Sequence, residues 1–181
     1  MIYTPTQLEG VWLVEPERHS DDRGFFARTW CSREFETRGL NSSLVQSNVS
    51  FNRRRGTLRG MHLQRAPWGE CKLVRCTQGA IFDVVLDLRP NSVTYCQWVG
   101  TELTSDNHKA FYIPEGCAHG FQTLTETSEV LYQMSQYFVP ESATGVRWND
   151  PVFSIQWPET EVRHLSPRDA TYPDFHDVRL S

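Results

Sequence analysis

Short apolar stretches alternate with polar turns along most of the chain, at a spacing typical of β-strands. β-Branched and aromatic residues fill these stretches, and glycine, proline, asparagine or aspartate stands between them. The regular succession of strands and turns indicates a sandwich or a barrel. The predicted strands cover residues 8–17, 24–30, 44–51, 57–63, 71–77, 80–88, 94–103, 109–113, 120–124 and 130–138.

Little helix is expected beside these strands. One short helix is predicted over 33–38, with Ser32 as its cap and Gly39 at its end. The chain has 181 residues and shows no linker, repeat or low-complexity segment, which favours a single domain over 1–181. Within it, the proline-containing segment 151–181 is expected to pack on the outside as a C-terminal extension. We therefore predict an all-β protein, a double-sheet antiparallel roll with short peripheral helices.

Composition narrows the classes of function. With 18 Lys plus Arg against 22 Asp plus Glu, the chain is mildly acidic, which argues against nucleic acid as a partner. The five cysteines form no Cys-x-x-Cys pair and are odd in number, so neither a zinc site nor a disulfide framework is indicated. The start of the chain lacks a signal-peptide pattern, and no stretch approaches the roughly 20 apolar residues of a membrane helix. A cytoplasmic protein without membrane association is expected.

Two neighbouring strands carry polar side chains that a sheet interior does not require. The strand over 57–63 contains Arg59 and His62, and the next strand contains Lys72. By strict alternation Arg59 and His62 face opposite sides. Because apolar and polar positions do not alternate cleanly here, a bulge near Gly60 is expected, and a bulge can redirect a side chain. A cationic cluster on an acidic chain suggests an anionic ligand.

A second polar motif lies between two later strands. Pro114, Gly116 and His119 form the pattern Pro-x-Gly-x-x-His. The proline and the glycine favour a turn, which presents His119 at the start of the following strand. This motif resembles the second motif of the cupin jelly rolls, so the predicted roll is a cupin-like jelly roll.

Several motifs occur together in a fixed order between about residues 8 and 173. They are 23–26 (RGFF), 46–48 (QSN), 58–64 (LRGMHLQ), 72–75 (KLVR), 83–89 (DVVLDLR), 114–121 (PEGCAHGF), 131–132 (LY), 147–151 (RWNDP) and 165–169 (LSPRD). In this order and spacing the chain resembles the dTDP-4-dehydrorhamnose 3,5-epimerase family. The resemblance implies a homodimer that uses no metal or other cofactor and epimerises a nucleotide-linked 4-keto-6-deoxy sugar. The expected nucleotide is dTDP, with another nucleotide left open.

The resemblance also implies catalytic roles. A carbon beside a keto group loses its proton only when the resulting enolate is stabilised, so a base and a cation are both needed. His62 matches the base, and histidine's ordinary pKa of about 6.5 suits that role. Lys72 matches the cation at the keto oxygen. Asp169 matches the carboxylate that orients the imidazole. Tyr132 matches the proton donor on the opposite face of the sugar, which inversion requires.

Further matched positions are implied to bind the sugar or the diphosphate. Guanidinium groups suit phosphate because their planar fork donates two hydrogen bonds at once. Three positions depart from the family pattern: Arg28 stands where an acidic residue is usual, a glutamate is usual near Ala143, and Phe138 stands where tyrosine is usual. The sugar, and whether C3, C5 or both are inverted, therefore stay open. The implied binding residues are Arg23, Gln46, Asn48, Arg59, His119 and Arg168.

Three alternatives accompany this hypothesis. A metal-dependent cupin enzyme would use His62, His119 and Glu70, but Gln64 stands where the first cupin motif has a second histidine. A nucleotide-sugar 3,4-ketoisomerase would share the fold and move the carbonyl instead. A non-catalytic sugar-binding module would not require a base, a cation and an opposite-face donor together.

Overall fold

The computed structural model describes residues 1–175 and contains thirteen strands and two short helices in that part of the chain. The helices are α1 (Ser32–Glu36) and α2 (Pro167–Ala170). The strands are β1 (Ile2–Pro5), β2 (Trp12–Glu15), β3 (Arg18–Asp21), β4 (Gly24–Ala27), β5 (Gln46–Asn52), β6 (Leu58–Gln64), β7 (Lys72–Gln78), β8 (Ala80–Asp87), β9 (Trp98–Thr104), β10 (Ala110–Ile113), β11 (Cys117–Thr123), β12 (Ser128–Met134) and β13 (Ala143–Gly145).

Two antiparallel sheets face each other. The first has six strands in the order β1-β2-β10-β7-β12-β5, and the second has five in the order β13-β6-β11-β8-β9. The strands β3 and β4 form a separate two-stranded hairpin. This architecture confirms the predicted double-sheet antiparallel roll with short peripheral helices. Neither helix in residues 1–175 has the length and apolar character needed to cross a membrane.

Apolar side chains fill the space between the sheets, because alternate residues of each strand point inward. Val74, Ile81, Phe111 and Phe121 belong to this buried cluster. Burying a side chain of this size contributes about 1.5–3 kcal/mol to folding. The interior is therefore a packed core, and any polar group in it needs a partner.

Both sheets are also covered on their outer faces. On the five-stranded sheet, Phe153, Ile155 and Trp157 of the C-terminal segment pack against Met61 and Val84. On the six-stranded sheet, Phe35 of α1 packs with Leu73 and Tyr112. The last six residues of the predicted extension 151–181, residues 176–181, lie outside the described residues.

The strand predictions fail mainly at exposed edges. β1 was not predicted, the strand predicted over 8–17 covers only 12–15, and a segment predicted as a turn contains β3. Both β1 and β3 are largely exposed, so they lack the apolar alternation that marks a half-buried strand. The short β13, which pairs only with β6, was also missed.

The predicted helix exists but begins differently. Cys31 takes the N-cap position and makes no side-chain capping hydrogen bond, while Ser32 is already helical. The predicted cap at Ser32 is therefore wrong. α1 ends at Glu36, before the predicted end, and Gly39 follows with a positive φ of 69°.

Candidate active site

A cavity of about 230 Å³ opens between the two sheets, lined by side chains from β6, β7, β11 and β12. A larger open groove beside Trp157 and Arg163 contains none of the predicted site residues. Six of the ten residues predicted for the site line the smaller cavity: Arg59, His62, Lys72, His119, Tyr132 and Arg168.

An irregularity in β6 brings two of these side chains to the same face. Between the cross-strand pairs His62 with His119 and Arg59 with Phe121, β6 advances by three residues and β11 by two. The expected bulge near Gly60 is thus confirmed. The strict alternation that separated Arg59 from His62 is wrong, because the extra residue turns Arg59 toward the cavity. Gly60 has φ +138°, and a Cβ there would lie 2.5 Å from a Cα atom of β11.

Asp169 lies behind the cavity and holds the imidazole of His62. Its Oδ1 is 2.6 Å from His62 Nε2. Asp169 is buried on α2, where its backbone N–H donates to Ser166 Oγ at the helix start. Burial acts to raise the pKa of Asp169, but hydrogen bonds with His62, Ser166 and Gly60 outweigh it, and the pKa lies below its usual value. A charged Asp169 accepts from Nε2–H, which leaves the lone pair on His62 Nδ1.

Tyr132 and Lys72 enter the cavity from the other sheet. Tyr132 lies on β12 and Lys72 on β7, which belong to the six-stranded sheet, whereas His62 lies on β6 of the five-stranded sheet. Burial raises the pKa of Tyr132, with the charge of Arg59 opposing the shift, so the phenol keeps its proton at neutral pH. The Lys72 ammonium is 2.8 Å from Glu70 Oε1.

A second histidine–aspartate pair lies in the same region. His119 Nε2 is 2.8 Å from Asp83 Oδ1, and Asp83 is fully buried. Burial raises the pKa of Asp83, although His119 and Lys72 act to lower it. Sequence analysis missed Asp83. The available signal was a charged residue alternating with Ile81 and Val85 on the buried face of β8. β11 begins at Cys117, so His119 lies within the strand rather than at its start.

Gln46 and Asn48 border the cavity without lining it. Gln46 Oε1 accepts a hydrogen bond from the backbone N–H of Phe138. Asn48 Nδ2 is 3.5 Å from the sulfur of Met134. Since Phe138 and Met134 both line the cavity, these two polar residues support its wall.

The remaining arginine predicted for binding, Arg23, lies outside the cavity. It is exposed at the tip of the β3–β4 hairpin and pairs with Asp21 at 2.6 Å. Arg168, in contrast, lines the cavity and donates to Ala143 O at 3.3 Å and to Tyr172 Oη at 2.8 Å.

Two of the three departures from the family pattern belong to the cavity wall. Ala143 and Phe138 both line it. Arg28 does not, and instead donates to Glu34 Oε1 at 3.2 Å beside α1. The two wall positions are therefore those where the side-chain changes can alter substrate contacts.

Gln64, which occupies the second-histidine position of metal-binding cupins, anchors two loops. Its Nε2 donates to Trp68 O and Tyr137 O, and its Oε1 accepts from the N–H of Val139. Both N–H donors of its amide and one lone pair of the amide oxygen are thereby engaged. Within residues 1–175, no three His, Cys, Asp or Glu side chains converge as ligands for a metal ion.

The fold and the cavity define a class of protein, a cupin-like β-roll with acid–base groups on facing sheets. The sequence profile of the dTDP-4-dehydrorhamnose 3,5-epimerase family matches residues 5–177. The dTDP-4-dehydrorhamnose 3,5-epimerase of Escherichia coli K12 is 45% identical over 165 residues, 91% of this chain and 89% of that protein. The chain belongs to this family and is a carbohydrate epimerase, which confirms the resemblance seen in the sequence.

Solved structures agree. The dTDP-4-dehydrorhamnose 3,5-epimerase of Elizabethkingia anophelis NUHP1 superposes with a TM-score of 0.95 at 38% identity, over 98% of this chain and 97% of that one. The dTDP-6-deoxy-D-glucose-3,5-epimerase of Legionella pneumophila, solved with dTDP-4-keto-L-rhamnose, superposes with a TM-score of 0.92 at 35% identity, over 98% of this chain and 94% of that one.

Proposed function

We propose that this cavity epimerises a dTDP-linked 4-keto-6-deoxy sugar with His62 as the base and Tyr132 as the proton donor. The activity, 3,5-epimerisation of a dTDP-4-keto-6-deoxy sugar in deoxysugar biosynthesis, follows from family membership. The observation that carries the assignment of roles is the 2.6 Å contact between His62 and Asp169, in a cavity whose facing sheet carries Tyr132.

Proton abstraction falls to His62. Nε2 donates to Asp169, so Nδ1 holds the lone pair that takes a proton from the carbon beside the keto group. The imidazolium that forms is stabilised by the charged carboxylate, whose pKa is lowered. A positioned base of this kind contributes about 10²- to 10⁴-fold to the rate.

Lys72 supports the enolate. Abstraction beside a carbonyl moves negative charge onto the keto oxygen, and a fixed ammonium stabilises that charge as it develops. By comparison with other oxyanion donors, the contribution is about 2.7–4 kcal/mol. Lys72 is buried and lines the cavity, so bulk water screens this charge weakly.

Tyr132 completes the inversion. It extends from β12 toward the cavity while His62 extends from β6, so the two groups approach a bound sugar from facing sheets. Its pKa, raised by burial, keeps a proton available for the enolate carbon. A single base would return the proton to the face from which it came.

The remaining cavity residues bind the nucleotide-linked sugar. Arg59 donates through Nε to Asn52 Oδ1 at 2.8 Å, which holds its guanidinium in place. Arg59 and Arg168 supply the forked donors that suit a diphosphate, and His119 lies beside the sugar, while Gln46 and Asn48 act on it through the wall residues that they hold, Phe138 and Met134. Because the Legionella relative was solved with dTDP-4-keto-L-rhamnose, we propose dTDP as the nucleotide here.

A second copy of the chain would bring Arg23 to the substrate. Phe26 is exposed beside Arg23 on the hairpin, and Val49 and Phe51 are exposed on the edge strand β5. Burying these apolar groups against a partner would stabilise a homodimer. Light scattering of the purified protein is expected to give the mass of a dimer, and a monomer mass would contradict this assembly.

We also propose a cytoplasmic location. All five cysteines are unpaired, which suits a reducing compartment. In the proposed mechanism, side chains alone transfer the protons, and no cofactor is required. Neither nucleic acid nor a membrane takes part in the reaction.

Proton NMR in D2O with dTDP-4-keto-6-deoxyglucose tests this function. We expect deuterium to enter at C3 and C5 as the epimerised product forms. Exchange at one carbon would define a mono-epimerase, and a moved carbonyl would define a ketoisomerase. Absence of exchange and product would contradict the proposal.

The Tyr132→Phe variant separates the two proton transfers in the same assay. We expect it to retain exchange of the starting sugar and to lose most of the inversion, because abstraction survives without the opposite-face donor. Equal loss of exchange and inversion would contradict the role of Tyr132.

A further inference from the structure

Glu70 is a buried carboxylate of the cavity that the mechanism above does not use and that the sequence suggested only as a ligand in the metal-dependent alternative. It precedes β7 and lines the cavity together with Lys72. Its Oε1 is 2.8 Å from Lys72 Nζ, and its Oε2 accepts the backbone N–H of Gln64 at 3.1 Å. Both oxygens are therefore engaged, and the carboxylate is tied to β6 on one side and to Lys72 on the other.

Among residues 1–175, this contact leaves one donor of Lys72 without a protein partner. An ammonium carries three N–H groups. One faces Glu70 and a second donates to the backbone oxygen of His62 at 3.3 Å. The third is available to an acceptor in the cavity that Lys72 lines. With two donors directed to protein acceptors, the ammonium has little freedom to turn.

Glu70 is also the carboxylate best placed to balance the charge of Lys72. A buried ammonium without a counter-charge tends to lose its proton. The other buried acid near it, Asp83, is already paired with His119, and burial raises the pKa of Asp83. The other charged or titratable side chains that line the cavity are Arg59, His62, His119, Tyr132 and Arg168, and Asp169 lies behind His62.

We propose that Glu70 is a positioning residue for Lys72, keeping its ammonium charged and directing its free N–H toward the keto oxygen of the substrate. The proposal rests on the proposed function of Lys72. Because the ammonium acts on charge that develops during abstraction, Glu70 affects kcat more than KM.

The sequence offers a direct readout of Lys72 that does not depend on activity. The chain has two lysines, Lys72 and Lys109, so protein labelled with ¹³C and ¹⁵N at lysine gives two side-chain signals. A Lys72→Arg variant assigns them. Lys109 pairs with Glu15 at 3.3 Å, which makes Glu15→Gln the matched control.

In Glu70→Gln we expect the side-chain N–H protons of Lys72 to exchange with water faster than in the wild type, because the carboxylate 2.8 Å from Nζ is lost. The Lys109 signal should not change. In Glu15→Gln the pattern should reverse, with only Lys109 affected. Unchanged exchange of the Lys72 protons in Glu70→Gln would overturn the proposal.

Kinetics test the consequence for the reaction. We expect kcat of Glu70→Gln and Glu70→Ala to fall about 10- to 100-fold, with KM within about twofold, because a displaced catalytic group loses rate at this scale. Glu15→Gln should match the wild type. Glu70→Gln keeps the size of the side chain and serves as the test if Glu70→Ala fails to fold. A wild-type kcat in Glu70→Gln would overturn the proposal. An inactive wild type would refute the proposed function instead, while the proton exchange of the two lysines would still decide the ion pair.

Discussion

Two histidine–aspartate pairs lie at the cavity. They share the same kind of contact but differ in their exposure and in the direction in which the pKa of the aspartate is shifted. His62 and Asp169 are 2.6 Å apart, and His119 and Asp83 are 2.8 Å apart, each through Nε2. The His62 side chain is 40% exposed, whereas that of His119 is 11% exposed and Asp83 is fully buried. Both histidines line the cavity, but His62 is the more open to it and the His119 pair is the more deeply buried.

The surroundings of the two carboxylates explain the difference in their electrostatics. Asp169 has hydrogen-bond partners in Ser166 and Gly60 besides His62, and its pKa is lowered despite burial. Asp83 has a second oxygen, Oδ2, that is buried and has no hydrogen-bond partner among the described residues, and burial raises its pKa. The same kind of contact thus involves a carboxylate that favours its charged form at Asp169 and one whose charged form is disfavoured by burial at Asp83.

The largest expected effect comes from replacing the two histidines. We expect His62→Asn to lower turnover about 10³-fold or more, because it removes the base. His119→Asn should lower turnover about tenfold, which corresponds to the loss of one hydrogen bond to the substrate. Turnover and deuterium exchange at C3 and C5, measured on both variants, check the contrast.

Thermal unfolding of both variants provides the control for folding. Equal losses of turnover in the two variants would break the distinction between the pairs. So would deuterium exchange that survives in His62→Asn and disappears in His119→Asn.

A smaller effect is expected in the pH dependence of stability. Since Asp169 has a lowered pKa in the folded state, its contribution is present above the unfolded value of about 3.9 and is lost as pH falls through the folded value. The free energy of unfolding of Asp169→Asn should therefore be about 1–3 kcal/mol below that of the wild type at neutral pH, and nearly equal to it in strong acid.

Asp83 should change the stability with pH in the opposite direction. Because its pKa is raised in the folded state, ionisation weakens the fold as pH rises from about 3.9 through the folded value. Asp83→Asn should remove this decline. Urea unfolding of both variants across acid and neutral pH measures the two slopes, and slopes of the same sign would contradict the comparison.

The strands around the site could be predicted because the local pattern of apolar and turn residues indicates where they begin and end. β6, β7 and β8 begin and end within one or two residues of their predicted bounds, since buried apolar runs and turn residues delimit them. The hairpin strand β3 was not, because its side chains are exposed on both faces. A sequence pattern reports burial, so an element without burial leaves little trace in it.

The site was predictable only in part, for a related reason. His62, Lys72 and Tyr132 lie on buried strands and follow from motifs, and all three line the cavity. Asp83 was missed as a member of the site because it gains its role from His119 on another strand, and a local pattern does not specify which distant side chain a carboxylate will meet. Glu70 was named only as a metal ligand of the cupin alternative, and its pairing with Lys72, two residues along the chain, was not predicted.

By itself the sequence determined the succession of strands, the double-sheet roll and the family, because these depend on alternation, turn residues and ordered motifs. Tertiary structure alone decided that the bulge at Gly60 turns Arg59 to the side of His62. It also decided the geometry of the contact that the family resemblance had implied, with Asp169 Oδ1 2.6 Å from the imidazole of His62, 107 residues away along the chain. Both depend on the packing of β6 against β11 and α2, where close backbone approach and burial select one arrangement that no single segment encodes.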